Sequence, residues 1–140
     1  MDDVKYMLLA IEQARRSSDG TPEAPTPRVG AIVVKDSEIL ACAYRGESAP
    51  GDHAEFVALE RKLRDRDLSG ATVYTTLEPC TDRAPGKTPC AFRLISRGVQ
   101  RVVIGVLDPN PTILGRGWLA LQDAGISGSS SKAGVVVHAA

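Results

Sequence analysis

The stretch "ATVYTTLEPCTDRAPGKTPCAFRLISRGVQRVVIGVL", residues 71–107, decides the fold. It opens on a β-branched run, "ATVYTTL", crosses a loop rich in proline and glycine, and enters the helical segment "CAFRLISRG", which Gly98 ends. It leaves on a second apolar run, "QRVVIGVL". Strand, helix, strand in this order is the repeating unit of an α/β sheet.

The flanking segments extend the same architecture. Upstream, "VGAIVV" and "ILACAY" are strand-like runs separated by the polar "KDSE", which reads as a hairpin. "HAEFVALERKLRDRD" follows, with Phe56, Val57, Leu59 and Leu63 favouring one side of a helix and a solvated, charged end. At the start of the chain, Val4, Met7, Leu8, Ile11 and Ala14 predict an amphipathic helix from Val4 to Ser17 that packs on the sheet. "SSDGTPEAPTP", with three prolines and a glycine, is a loop. Downstream, "GWLALQDAG" reads as a helix and "GVVVH" as a last strand. The order implies an α/β fold, a three-layer α/β/α sandwich around a mixed sheet of about five strands. Residues 1–140 are read as one domain, since 140 residues that are 43% hydrophobic suffice for one core.

Composition narrows the function classes. Seventeen Lys plus Arg balance seventeen Asp plus Glu, so no global charge draws the protein to a polyanion. The apolar runs are strand-sized and "MDDVKYM" lacks a signal-peptide pattern, so a cytoplasmic protein with no membrane partner is expected. Three cysteines make no disulfide framework and are expected to be reduced, buried or metal-bound.

Spacing separates these roles. Cys80 ends the strand segment "TTLEPC", Cys90 opens the next helix, and His53 stands where a loop gives way to the preceding helix. One imidazole and two thiols suit zinc, and helix starts favour the deprotonated thiols that ligation requires. Three protein ligands leave one tetrahedral position open for a water that loses a proton near neutral pH, which marks a catalytic site. Glu55 is better used as a proton carrier than as a ligand, and hydrolytic deamination needs such a carrier. "HAE" alone is a weak signal, because single histidines and cysteines are usually structural. Together with "PC" and a second cysteine after nine residues it matches the zinc nucleobase-deaminase pattern, apart from the longer spacing.

These residues carry a resemblance. The chain resembles the cytidine deaminase superfamily, and within it most closely the pyrimidine deaminase domain of the bifunctional riboflavin-biosynthesis deaminase/reductase. The matching stretches are "PRVGAIVVKD", "HAE", "TLEPC", "GKTPC", "RVVIGVLDPNP" and "GRGWLALQDAGI". The resemblance implies the deaminase α/β/α sandwich with five strands, one catalytic Zn²⁺ on His53, Cys80 and Cys90, and Glu55 as the proton shuttle. It implies an aminopyrimidine ribonucleotide or related nucleoside or nucleotide as substrate, and self-association as a homodimer or homotetramer. It places substrate contacts at Lys87, Asp108 and Asn110, with Ala54 as a small spacer in the floor of the site. Lys87 suits a ribose phosphate, whereas an Asx-turn serves equally well as a reading of Asp108 and Asn110.

The departures bear on substrate choice. Thr26 stands where the riboflavin enzymes carry a substrate-contacting asparagine, Thr81 and Asp82 replace Ser-His, and Arg45 replaces a histidine. The loop between the cysteines is one residue longer. A carboxylate at Asp82 would repel a phosphate unless Arg83, Lys87 or Arg45 offsets it. A stand-alone deaminase without a reductase domain is the expectation.

Two other classes compete. A deaminase acting on tRNA or single-stranded DNA would need a basic groove and stacking aromatics, against a net charge of zero and 4% aromatics. A non-catalytic zinc module would have no use for Glu55. Cys42 and Trp118 are read as core residues and His138 as a terminal or surface group.

Overall fold

A computed structural model describes residues 2–126 and, by backbone alone, 134–137. Its order is α1 (Asp3–Ala14), β1 (Gly30–Lys35), β2 (Glu38–Tyr44), α2 (Ala54–Phe56), β3 (Thr72–Leu77), α3 (Cys90–Ser96), β4 (Arg101–Val106), α4 (Arg116–Asp123) and β5 (Gly134–Val137). α2 runs on into a π-helical segment, Val57–Lys62. The strands lie in the order β2-β1-β3-β4-β5, with the four before β5 described to the side chains. β1 is antiparallel to β2 and β3, while β3, β4 and β5 run parallel. The mixed sheet expected from the alternation of segments is therefore present. His138 and the "SGSSSKA" segment lie outside the described residues.

Period-two alternation builds the layers. Ile32, Val34, Tyr74 and Val103 face α1, where Tyr6, Met7 and Ala10 cover them. Val33, Val73, Val102 and Ile104 face the other way, onto Val57, Leu59, Leu94 and Leu121 of the remaining helical segments. Leu59, Leu94 and Leu121 are fully buried, and truncating any one to alanine costs about 2–5 kcal/mol. The β1–β2 hairpin turns on Asp36 and Ser37, both left-handed at φ 52° and 63°, as a two-residue turn between twisted strands requires.

Two helices are shorter than their apolar periodicity. α1 stops at Ala14 because the Ser17 hydroxyl donates to the Ala14 carbonyl at 2.6 Å and accepts the Val29 N–H at 3.2 Å. That hydroxyl offers the backbone a competing partner. The segment after α2 stops at Lys62, where the Arg97 guanidinium donates to the carbonyls of Leu63 and Arg66 at 2.8 and 2.9 Å. The charged run 64–67 is exposed beyond it, as expected.

Because β1 is antiparallel to β2 and β3, its N-terminal end meets the C-terminal ends of β2, β3 and β4 at one edge of the sheet. Val29, Arg45, Glu78 and Asp108 extend from these ends.

Candidate active site

The residue before each of two helices is extended: His53 (φ −69°, ψ 150°) before α2 and Pro89 (φ −59°, ψ 147°) before α3. This geometry aims the His53 ring and the first side chain of α3, Cys90, into the same space at the sheet edge. Cys80 arrives there from the end of β3. It stands in the loop that follows β3, in keeping with its place at the end of "TTLEPC". The α3 start nevertheless reaches it, since the Cys90 N–H donates to Cys80 Sγ at 3.2 Å and the Ala91 N–H donates to the Cys80 carbonyl at 3.0 Å.

The three donor atoms lie within 4.8 Å of one another. His53 Nδ1 is 3.6 Å from Cys80 Sγ and 3.4 Å from Cys90 Sγ. Zinc–sulfur and zinc–nitrogen bonds at a tetrahedral angle put such atoms about 3.5 Å apart, so the donor set fits zinc in both type and spacing. Electrostatics agrees with metal ligation. The Cys90 thiol donates to Cys80 and, with His53, holds the Cys80 thiol down at about 4 against the effect of burial. The same contact and burial push Cys90 well above the ordinary thiol range. One thiolate is therefore already favoured, and the second thiol loses its proton on ligation.

Beside this triad is a cavity of about 180 Å³. Pro27, Val29, Ala54 and Leu77 give it apolar walls, His53 and Cys80 reach it from the ligand side, and Glu55, Glu78, Asp108 and Arg45 supply its charges. Glu55 is 4% exposed, and burial pushes its carboxyl up to about 7. A carboxyl in that range both holds and releases a proton near neutrality.

Of the residues tied to substrate by resemblance, Ala54 and Asp108 line this cavity. Asp82 lies in a smaller side recess with Cys80 and Asp108, and Thr26 lines an outer cleft. Lys87 and Asn110 are exposed and line none of these spaces. Asn110 Oδ1 accepts the N–H and the hydroxyl of Thr112, and Asp108 Oδ1 accepts the Asn110 N–H, so this loop takes the Asx-turn reading. Trp118 packs against the core with its Nε1 buried, and Cys42 packs against the α1 side.

Sequence reasoning missed Glu78. It is 5% exposed and accepts backbone N–H groups from Asp108 (2.9 Å), Gly115 (3.0 Å) and Trp118 (2.9 Å). It thus caps α4 and fixes the Asp108 loop two residues before a ligand cysteine. The available signal was an acid at the end of an otherwise buried strand, directly before "PC".

A mixed-sheet sandwich with a His-Cys-Cys triad and a buried glutamate at one sheet edge defines a zinc deaminase. The family model described as the cytidine and deoxycytidylate deaminase zinc-binding region matches residues 1–106, and the chain belongs to this family of hydrolytic deaminases with zinc as cofactor. The chain is 44% identical over 127 residues to the riboflavin biosynthesis protein RibD of Escherichia coli, covering 90% of this chain and 33% of that protein. It is 42% identical over 127 residues to the diaminohydroxyphosphoribosylamino-pyrimidine deaminase of Buchnera aphidicola, covering 90% of this chain and 82% of that one. Among solved structures, the Thermotoga maritima diaminohydroxyphosphoribosylaminopyrimidine deaminase/5-amino-6-(5-phosphoribosylamino)uracil reductase aligns with a TM-score of 0.80 and 35% identity. That alignment covers 96% of this chain and 36% of the other. The chain thus spans about a third of the length of the first curated relatives it matches.

Proposed function

We propose that the protein hydrolyses the exocyclic amino group of an aminopyrimidine ribonucleotide, releasing ammonia. The observation that carries this reading is Glu55, a buried carboxyl in a small cavity beside three zinc-type donors, where a structural metal site would need no acid. The names of the Buchnera and Thermotoga relatives support the substrate class.

His53, Cys80 and Cys90 would hold the zinc. When bound, zinc lowers the pKa of a water and so supplies a nucleophile at neutral pH. Glu55 takes a proton at its carboxylate and passes it to the departing amino nitrogen. Pro27, Val29 and Leu77 hold a flat ring by apolar contact and exclude bulk water, while Ala54 leaves room over the floor. No Phe, Tyr or Trp lines the cavity, and its one aromatic ring, His53, belongs to the metal donors, which favours a small ring over a stacked nucleic-acid strand.

The reading includes a homo-oligomer, supported by Phe92 and Leu119, which leave apolar surface exposed on α3 and α4; sedimentation of the zinc-loaded protein tests it. It also includes a cytoplasmic location. Among the described residues no helix is long and apolar enough to cross a membrane.

The test is ammonia release by zinc-loaded protein from a panel of aminopyrimidine bases, nucleosides and nucleotides. Release from the aminopyrimidine nucleotide is expected. Silence across the whole panel refutes the reading.

A further inference from the structure

An outer cleft of about 390 Å³ adjoins the reaction cavity, and Arg45 lines both spaces. The two differ in charge. Glu55, Glu78 and Asp108 give the inner cavity three carboxyl groups, whereas the lining of the outer cleft contains no Asp or Glu and two arginines, Arg16 and Arg45.

Most carboxylates of the surrounding loops are engaged elsewhere, and Glu23, which has no such partner among the described residues, is exposed and lines neither space. Asp19 takes the Arg28 guanidinium at 2.5 and 2.9 Å, Glu47 pairs with Lys62 at 2.6 Å, and Asp52 accepts the Ser48 hydroxyl at 2.7 Å. Among the described residues neither Arg16 nor Arg45 forms an ion pair. Two cations thus share a cleft with no internal anion. Ser18 and Thr26 add hydroxyl groups to the same lining.

We propose that this outer cleft is the anion subsite of the enzyme, with Arg45 and Arg16 binding the phosphate of a phosphorylated sugar whose heterocycle occupies the inner cavity. The assignment of the heterocycle rests on the aminopyrimidine reading above. An anionic tail meets the carboxyl groups of Glu78 and Asp108 inside, with Glu55 only partly ionised near neutrality, and two guanidinium groups outside, so charge favours entry of the heterocycle end. Guanidinium groups bind phosphate through paired N–H donors, which gives orientation as well as affinity. Arg45, at the junction, is the specificity-determining residue for phosphorylated over unphosphorylated substrate. Lys87, the cation that motif resemblance nominated, lines neither space.

The test is calorimetric titration of zinc-loaded protein with ribose 5-phosphate and with ribose, which does not depend on turnover. Wild type binds ribose 5-phosphate at least about tenfold more tightly than ribose, and Arg45→Ala and Arg16→Ala each remove about tenfold of that affinity. Arg45→Lys restores part of it, because a point charge replaces the fork. Arg64→Ala, in the exposed charged run, serves as the control for general electrostatics. The proposal is overturned if wild type binds neither sugar, if it binds both equally, or if both arginine variants stay within twofold of wild type. It is also overturned if Lys87→Ala abolishes binding while the arginine variants retain it. Ammonia release from an aminopyrimidine nucleoside and its 5′-phosphate is measured in parallel. Absence of release from both, with sugar phosphate binding intact, refutes the aminopyrimidine reading and leaves the anion subsite standing.

Discussion

Glu78 Oε1 accepts the backbone N–H of Asp108 at 2.9 Å. The same carboxylate accepts from Gly115 and Trp118, so one buried side chain at the end of β3 holds the loop after β4 and the first turn of α4. Cys80 follows two residues later on the same strand exit. Glu78 is therefore a positioning residue, which couples the placement of a cavity-lining acid, Asp108, to that of a zinc ligand.

Replacing Glu78 with alanine orphans three N–H donors, at about 1 kcal/mol or more for each. Glu78→Ala should lose about 3 kcal/mol of stability by denaturant unfolding, whereas Glu78→Gln keeps one acceptor oxygen and should lose about half as much. At temperatures where both variants are folded, KM should rise while zinc content stays near one, because the Asp108 loop loosens before the triad does. Equal loss of kcat with an unchanged KM would rule out positioning through that loop.

Glu55 and Cys90 make opposite predictions. Glu55→Gln keeps the shape of the site and all three metal donors, so it should bind one zinc yet lose about 10²–10⁴ in kcat, the range for removal of an acid/base. Cys90→Ala should lose the metal as well as the activity. Metal analysis beside ammonia release separates the two, and zinc loss in Glu55→Gln would mean that the carboxyl is a ligand.

Metal removal should weaken the whole fold, since His53, Cys80 and Cys90 join the start of α2, the exit of β3 and the start of α3. Chelation is expected to lower Tm, and stoichiometric zinc to restore it, because a metal that binds only the folded state adds its binding free energy to stability. Cys90→Ala should melt at one temperature with and without chelator. A wild-type Tm indifferent to chelator would show that the triad carries no metal.

What was legible in the sequence was whatever depends on one residue and its period. Val33 and Ile32 alternate across β1, and Val102, Val103 and Ile104 alternate across β4, so the sheet and its two covered faces could be read directly. His53, Cys80 and Cys90 were legible because ligand chemistry restricts residue type so strongly, and Glu55 because an acid two residues from a ligand histidine fits a proton carrier. Glu78 was not, because an acid beside a proline at a strand end looks like any turn residue until its three backbone partners are in view. The division of Arg45 and Arg16 from the inner acids was equally hidden, since it depends on side-chain direction at the sheet edge. Lys87 and Asn110 matched motifs in sequence yet stand outside the cavity, and Asn110 instead accepts from Thr112. The π-helical segment Val57–Lys62 carries no residue pattern that separates it from an α-helix.

Gly117 offers a sharper probe of how α4 bears on the metal site. A Cβ built at this position would stand 2.1 Å from the Pro79 carbonyl oxygen and 3.0 Å from Glu78 Cγ, so α4 approaches the strand exit as closely as a glycine permits. Gly117→Ala must displace either the helix or the Pro79–Cys80 backbone, at about 1–3 kcal/mol for an overpacked contact. The Glu78 carboxylate resists displacement of the helix, because moving α4 would break its bonds to Gly115 and Trp118. The strain should therefore pass to Cys80, and zinc affinity should fall by about tenfold, roughly 1.4 kcal/mol, in competition with a chromogenic chelator. The gap in Tm between Gly117→Ala and wild type should be wider with zinc bound than without it, a widening that a defect confined to α4 packing would not produce. Wild-type zinc affinity in a destabilised Gly117→Ala would show that the helix moves alone, and that Glu78 does not couple it to the ligand loop.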